Sequence, residues 1–216
     1  MEGLYAKIRD AFLSFDFEEV KALVREALAK GASPNEVIER ALRPAMEEAG
    51  RRFEKGEFFL AELVVAGDLF KEVMDEILVP EIQKQGGSTR SLGTVVIGTV
   101  RGDLHDIGKS IVATMLRAAG FNVIDLGVDV PPEKFVEAAI ENKADIVAMS
   151  ALLTTTMLEM RNVIEELKKA GIRDKVKVVV GGAAVTEDFA RSIGADGYGE
   201  DAVKGVKVCK ELLGVK

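Results

Sequence analysis

The chain has 216 residues, 48% of them apolar and 30% charged, the makeup of a soluble globular protein with enough length to bury a sizeable core. Its net charge of −7 falls almost wholly on residues 1–86, which argues against attraction to nucleic acid or to an anionic membrane surface. A lone cysteine, Cys209, excludes an internal disulfide and any multi-cysteine zinc or iron–sulfur centre.

From Met1 to about Gln85 the apolar residues recur at helical spacing. A short opening helix is predicted at "LYAKIRDAFLS", and a second at "DFEEVKALVREALAKGASP", where Val20, Leu23, Val24, Ala27 and Leu28 share a face up to Gly31. Ser33, Pro34 and Glu36 supply an N-cap, a first-turn proline and a capping-box glutamate for a third helix, in which Pro44 marks an expected kink. A fourth covers "FFLAELVVAGDLFKEVMDEILVPEI", so residues 1–86 read as a four-helix bundle. The glycines, serines and threonine around "GSTRSL" break the period and place a linker at 87–92.

Residues 93–216 change pattern. "TVVIGTV", "NVIDLG", "DIVAMSA", "KVVVGG" and a weaker "ADGYG" are short β-branched runs separated by amphipathic helical segments. Near-continuously apolar strands that alternate with helices predict a five-stranded, doubly wound parallel sheet, with any ligand beyond the carboxyl ends of the strands. Cys209, in "VKVCKELLG", reads as a core position on a terminal helix. No apolar run reaches the roughly 18 residues of a membrane span and no signal-peptide pattern opens the sequence, so the expected location is the cytoplasm. With no Trp and two Tyr, a stacking platform for single-stranded nucleic acid has little support.

The only histidine, His105, stands in "RGDLHDIGKS", between the first strand and a helix expected from about Gly108. As a helix-start residue it is expected to be neutral, and neutral imidazole is the form that ligates a transition metal. A lone histidine cannot build a metal site from protein alone, so a metal there has to arrive already held, as in a macrocycle that leaves one axial position open. Asp103 is placed to hold the other ring nitrogen. The alternatives are a surface histidine without further role, or a hydrolase histidine served by Ser110 or Ser150. Lys109 and Arg101 read as solvated charges, and "TTT" at 154–156 as a possible cap for a helix starting near Thr155 or Thr156.

"DLHDIG", with its D-x-H-x-x-G spacing, resembles the signature of corrinoid proteins that bind cobalamin base-off and His-on. "MSALLTTTM" after the third strand, "VVVGGAAVT" after the fourth and "GYGEDA" after the fifth resemble that family's further segments in the same order. "GRRFEKGEFFLAELVVAGDLFKEVM" resembles the helical cap of methyl-carrying cobalamin modules, with Ala61 where proline is common. Nearly the whole chain, residues 5–212, is covered, and the match is best to stand-alone corrinoid proteins of methylamine, methanol or methoxyaromatic methyltransferase systems.

The resemblance implies a helical cap at 1–86 and a flavodoxin-like, Rossmann-type cobalamin-binding domain at 93–216. It implies His105 as the lower axial ligand of cobalt, Asp103 bonded to its imidazole and Thr156 completing the relay. Asp106 and Gly108 belong to the same loop. Ser150, Leu152, Thr154, Gly181 and Gly182 line the slot for the nucleotide tail, and Phe59 and Leu60, beside Phe58, shield the upper corrin face. The implied activity is carriage of a methyl group through Co(I) and methyl-Co(III) between a substrate-specific methyltransferase and a second methyltransferase, with a reductive activase as a further partner. A cobalamin-dependent sensor, a mutase subunit and a flavodoxin-like interaction domain are the competing readings. A sensor usually carries a DNA-binding module, and no basic helix-turn-helix stretch is found here.

Overall fold

The computed structural model describes residues 1–84 and 91–215, which form two compact units, Met1–Arg90 and Ser91–Lys216. Residues 87–90 of the expected linker lie outside the described residues.

The first unit contains, among the described residues, the four helical runs that the periodicity predicts. α1 (Glu2–Leu13) is followed by α2 (Phe17–Ala29), whose N-cap Asp16 accepts from the Glu19 N–H at 3.0 Å. The third run is α3 (Pro34–Val37), a π turn (Ile38–Leu42) and α4 (Arg43–Glu54). It opens with the anticipated capping box: Ser33 Oγ accepts from the Glu36 N–H, and Glu36 Oε2 accepts from the Ser33 N–H at 2.8 Å. The fourth run is α5 (Leu60–Val73), a second π turn (Met74–Leu78) and α6 (Val79–Lys84).

Both π turns immediately precede a proline-bearing segment, with Pro44 and Pro80 each in second place. Proline offers no N–H and its ring crowds the carbonyl four residues back, so widening the preceding turn lets the helix continue where a break or kink is expected. Ala61 does no harm to the start of α5, because Glu62 Oε2 accepts from the Phe59 N–H at 2.8 Å. Tyr5, Phe12, Leu42, Leu63 and Phe70 fill the core of this unit. Lys21, the one buried ammonium among its described residues, is met by Glu72 and Glu76.

The second unit alternates strand and helix throughout: β1 (Thr94–Thr99), α7 (Ile107–Ala119), β2 (Asn122–Asp125), α8 (Pro132–Glu141), β3 (Ile146–Ser150), α9 (Glu159–Lys169), β4 (Lys177–Gly181), α10 (Glu187–Ile193), β5 (Gly197–Gly199) and α11 (Ala202–Leu212). The strands are parallel in the order β2-β1-β3-β4-β5. This is the flavodoxin-like order, and it puts the switch in winding direction between β1 and β3. Phe135, Met160 and Leu167 cover one face of the sheet, and Ala113, Leu116 and Cys209 the other. Burial pushes the Cys209 thiol up to about 12, which makes it an inert core group, as its sequence setting suggests.

Ser91 and Leu92, expected in the linker, are part of this unit. Ser91 Oγ accepts from the N–H groups of Gly93 and Asn122, and Leu92 packs on the core.

Candidate functional site

Register aligns the carboxyl ends of four strands in one row: Thr99 is opposite Ser150, Ser150 opposite Gly181, and Gly181 opposite Gly199. The four stretches singled out in the sequence therefore emerge side by side along the binding edge. The β1–α7 loop (100–106) and the β3–α9 loop (151–158) flank the switch point and meet through one carboxylate.

That carboxylate is Asp103, which has no solvent exposure. Its Oδ1 lies 2.6 Å from His105 Nδ1 and accepts from the His105 N–H at 3.1 Å. Its Oδ2 accepts from the Leu152 N–H at 2.8 Å and from the Thr156 hydroxyl at 2.6 Å. Burial alone pushes the Asp103 carboxyl up. The Thr156, Leu152 and His105 donors together outweigh that and hold it well below the usual carboxylate range.

An ionised carboxylate only accepts, so the proton between the two residues sits on Nδ1. With the proton on Nδ1, the lone pair of an uncharged ring lies on Nε2, and the His105 side chain is half-exposed at 51%. Thr99, fully buried at the end of β1, donates to the His105 carbonyl at 3.0 Å and ties the ring's backbone to the sheet. Three of the five buried polar or charged residues among those described, Thr99, Asp103 and Thr156, belong to this cluster; the other two are Lys109, in the first turn of α7, and Lys21.

Lys109 corrects the sequence reading. It is not a solvated charge: its side chain is buried, with Nζ 2.6 Å from Asp125 Oδ2 and 2.9 Å from Asp106 Oδ1. Asp106 also accepts from Ser110 Oγ at 2.9 Å, and the Lys109 contact is the main reason its carboxyl lies below the usual range. Ser110 is thereby turned toward Asp106, and no bond joins it to His105 among the described residues. Arg101 is exposed and pairs with Glu133 at 3.2 Å.

The threonines do not cap α9, which begins at Glu159, three residues after the last of them. Thr154 is exposed in the turn before it, whereas Thr156 points inward to Asp103. Ser150 ends β3, half-buried, and Leu152 contributes its N–H to Asp103 while its side chain is exposed.

Gly181 and Gly182 are required by the fold itself. A Cβ on Gly181 would lie 2.7 Å from the Gly199 carbonyl oxygen, and one on Gly182, which has φ +114°, would lie 2.1 Å from that of Ala151. Gly108 is different. Its φ is not positive, and a Cβ there meets no protein atom within 4 Å. No neighbouring part of the protein packs against that position, and the space beside it is open.

The sequence reading missed a set of exposed apolar residues on the two loops that meet at Asp103 and at the start of α7. Leu104, Ile107, Leu153 and Leu158 are exposed together with Leu152, Leu104 at 72%. Leucines in a loop, with no periodic face to join, are the signal that was available. In the helical unit, Phe58 stacks against Phe15 with ring centroids 5.4 Å apart, while Phe59, 69% exposed, and Leu60 stand in solvent at the start of α5. Isolated exposed leucines are ordinary; four leucines and an isoleucine exposed on the segments that flank the Asp103–His105 pair are a candidate ligand surface.

Among the described residues no group of three or more His, Cys, Asp or Glu is arranged to hold a metal ion. A metal on His105 must bring its other donors with it. No helix is long and apolar enough to cross a membrane.

Comparison with known proteins agrees with this fold. Two family models, each described as a B12 binding domain, match residues 93–207 and 4–78. The trimethylamine corrinoid protein 1 of Methanosarcina acetivorans is 50% identical over 98% of both chains, and the dimethylamine corrinoid protein of Methanosarcina barkeri is 45% identical over 98% of both. The methanol:cobalamin methyltransferase complex of Methanosarcina barkeri contains a chain that superposes with a TM-score of 0.85 at 32% identity, covering 99% of this chain and 81% of that one. A helical unit followed by a parallel sheet, with a carboxylate-held histidine at its switch point, thus accompanies family matches over both parts of the sequence, and the chain belongs to the B12-binding corrinoid proteins of methyltransferase systems.

Proposed function

We propose that the chain is a methyl carrier that holds cobalamin base-off, with His105 Nε2 as the lower axial ligand of cobalt. The observation that carries this reading is the carboxylate–imidazole pair: Asp103, ionised and anchored by Leu152 and Thr156, fixes the Nδ1–H tautomer and leaves Nε2 free to donate. When bound, the cobalt centre supplies the site that takes up and gives up the methyl group. The chain's residues do the rest. Asp103 orients the ring and holds its proton at Nδ1, and the exposed leucines exclude water around it. Ser150, Gly181 and Gly182 at the strand ends, with Thr154 in the β3–α9 loop, are suited to the nucleotide tail, Asp106 closes the ligand loop and Gly108 lies in the first turn of α7. Phe59 and Leu60 belong to the set as apolar groups that keep water from the reactive metal.

The partners in this reading are a substrate-specific methyltransferase, a second methyltransferase and a reductive activase, all in the cytoplasm. The relatives' names make methylated amines the first donors to assay.

The test is a titration of the apoprotein with hydroxo- and methylcobalamin, followed by electron paramagnetic resonance of the Co(II) form. Nitrogen splitting of the cobalt lines that changes on 15N-histidine labelling is expected, and its loss in His105→Ala. Cobalamin binding that is identical without His105 would overturn the assignment.

Gly108 gives an independent check. Gly108→Ala is expected to leave the apoprotein as stable or more stable, by up to about 1 kcal/mol, because the helix loses a poor former and nothing is struck. Cobalamin affinity should nevertheless drop, by roughly tenfold for a 1.4 kcal/mol clash. An unchanged affinity would remove Gly108 from the site.

A further inference from the structure

The β1–α7 loop is gripped from the side opposite the β3–α9 loop by the segment that follows β2. The Thr99 N–H donates to the Gly127 carbonyl at 2.9 Å, and the Val130 N–H to the Thr99 carbonyl at 3.0 Å. Between those two bonds lies Asp129. Its Oδ1 accepts from the Gly102 N–H at 2.6 Å, and its own N–H donates to the Asp103 carbonyl at 3.0 Å.

Asp129 has φ +53°, a left-handed conformation that disfavours side chains and that glycine adopts freely. The strain accompanies a specific use of the carboxylate. Val100–Asp103 is a tight turn closed by the Asp103 N–H to the Val100 carbonyl at 3.1 Å, with Gly102 at φ +79° in its third place. The Gly102 N–H points out of that turn, and Asp129 receives it. The Asp103 backbone is thereby bonded through both its N–H and its carbonyl, while its carboxylate faces His105, Leu152 and Thr156.

We propose that Asp129 is a positioning residue for His105, acting through the Gly102–Asp103 turn, which rests on the assignment of His105 as the axial ligand. Without the Asp129 carboxylate the turn keeps its internal bond but loses its outside anchor. Asp103 then samples other positions and the imidazole loses its single orientation.

Asp129→Gly isolates the effect. Glycine accepts the left-handed backbone and keeps the N–H to Asp103, so the fold persists and only the carboxylate is lost. Asp129→Asn retains an acceptor oxygen and is the rescue variant. In the apoprotein, 15N resonances report the His105 tautomer and amide exchange reports Gly102.

Asp129→Gly should lower the share of the Nδ1–H tautomer and speed Gly102 exchange about tenfold, the effect of losing one charge-assisted hydrogen bond, with Asp129→Asn close to the parent. With Co(II) cobalamin, the fraction showing histidine nitrogen splitting should fall in the same order. A parental tautomer share and parental Gly102 exchange in Asp129→Gly would overturn the proposal. Failure of the cofactor reading looks different: the parent itself shows no nitrogen splitting, whatever the apoprotein variants do.

Discussion

Exchanging Asp103 for asparagine is expected to cost the apoprotein about 2–3 kcal/mol and to move the His105 ring proton from Nδ1 to Nε2. The carboxylate takes two donors on each oxygen: the His105 N–H and ring on one, Leu152 and Thr156 on the other. An amide cannot satisfy all four. With its NH2 toward Leu152, two buried donors face each other, and Thr156 alone has an alternative, the Leu153 carbonyl at 3.1 Å. With its NH2 toward His105, the ring can turn acceptor at Nδ1, but the backbone N–H is orphaned and the proton moves to Nε2. That second outcome removes the outward lone pair, so axial ligation should fail together with stability.

Chemical denaturation and 15N shifts of the ring measure the two effects on one sample. The pH dependence supplies a control. The native Asp103 carboxyl lies below its unfolded value, so its contribution is complete above about pH 4 and is lost as pH falls from there toward the depressed native value. The stability gap between parent and Asp103→Asn should therefore narrow on acidification below pH 4. A gap that is independent of pH would mean that the charge on Asp103 is not what the four donors serve.

The parts of this protein legible in its sequence are those set by periodicity and by local chemistry. Continuous apolar strands gave the parallel sheet, and Ser33–Glu36 the start of the third helical run, because both signals are complete within a few residues. The D-x-H spacing gave the Asp103–His105 pair for the same reason: two residues of separation are bridged by a single turn. Thr156 was legible only through the family resemblance, since 53 positions separate it from Asp103.

What escaped depends on the tertiary register. Lys109 reads as one more charge on an amphipathic helix until Asp125, 16 residues on, is brought beneath it by the β1–β2 pairing. Asp129 sits in an unremarkable loop until its backbone sign and its reach to Gly102 are known. The π turns were hidden because a proline announces an obstacle without saying whether the helix breaks, bends or widens.

Asp125→Ala is expected to destabilise the apoprotein by about 2–4 kcal/mol, more than Lys109→Met, although the two remove the same ion pair. The asymmetry follows from burial. The Lys109 side chain is 2% exposed, whereas those of Asp125 and Asp106 are 24% and 55% exposed. Lys109 also lies in the first turn of α7, where unpaired backbone N–H groups already favour negative charge. An ammonium in that place is disfavoured twice, and two carboxylates make it tolerable.

Removing Asp125 leaves the buried cation to Asp106 alone, a residue that water can reach, and orphans the Gly127 N–H that Asp125 accepts at 2.9 Å. Removing the charge of Lys109 instead leaves two carboxylates that can turn to solvent, and the methionine side chain fills the same space, at a cost of about 1 kcal/mol or less. The double variant should therefore be more stable than Asp125→Ala alone, a coupling that urea denaturation of the four proteins measures directly. Equal losses in the two single variants would mean that Lys109 finds water or another partner once Asp125 is gone. The observed coupling would instead identify the ion cluster as the bolt between the end of β2 and the start of α7, immediately after the residue that presents the imidazole.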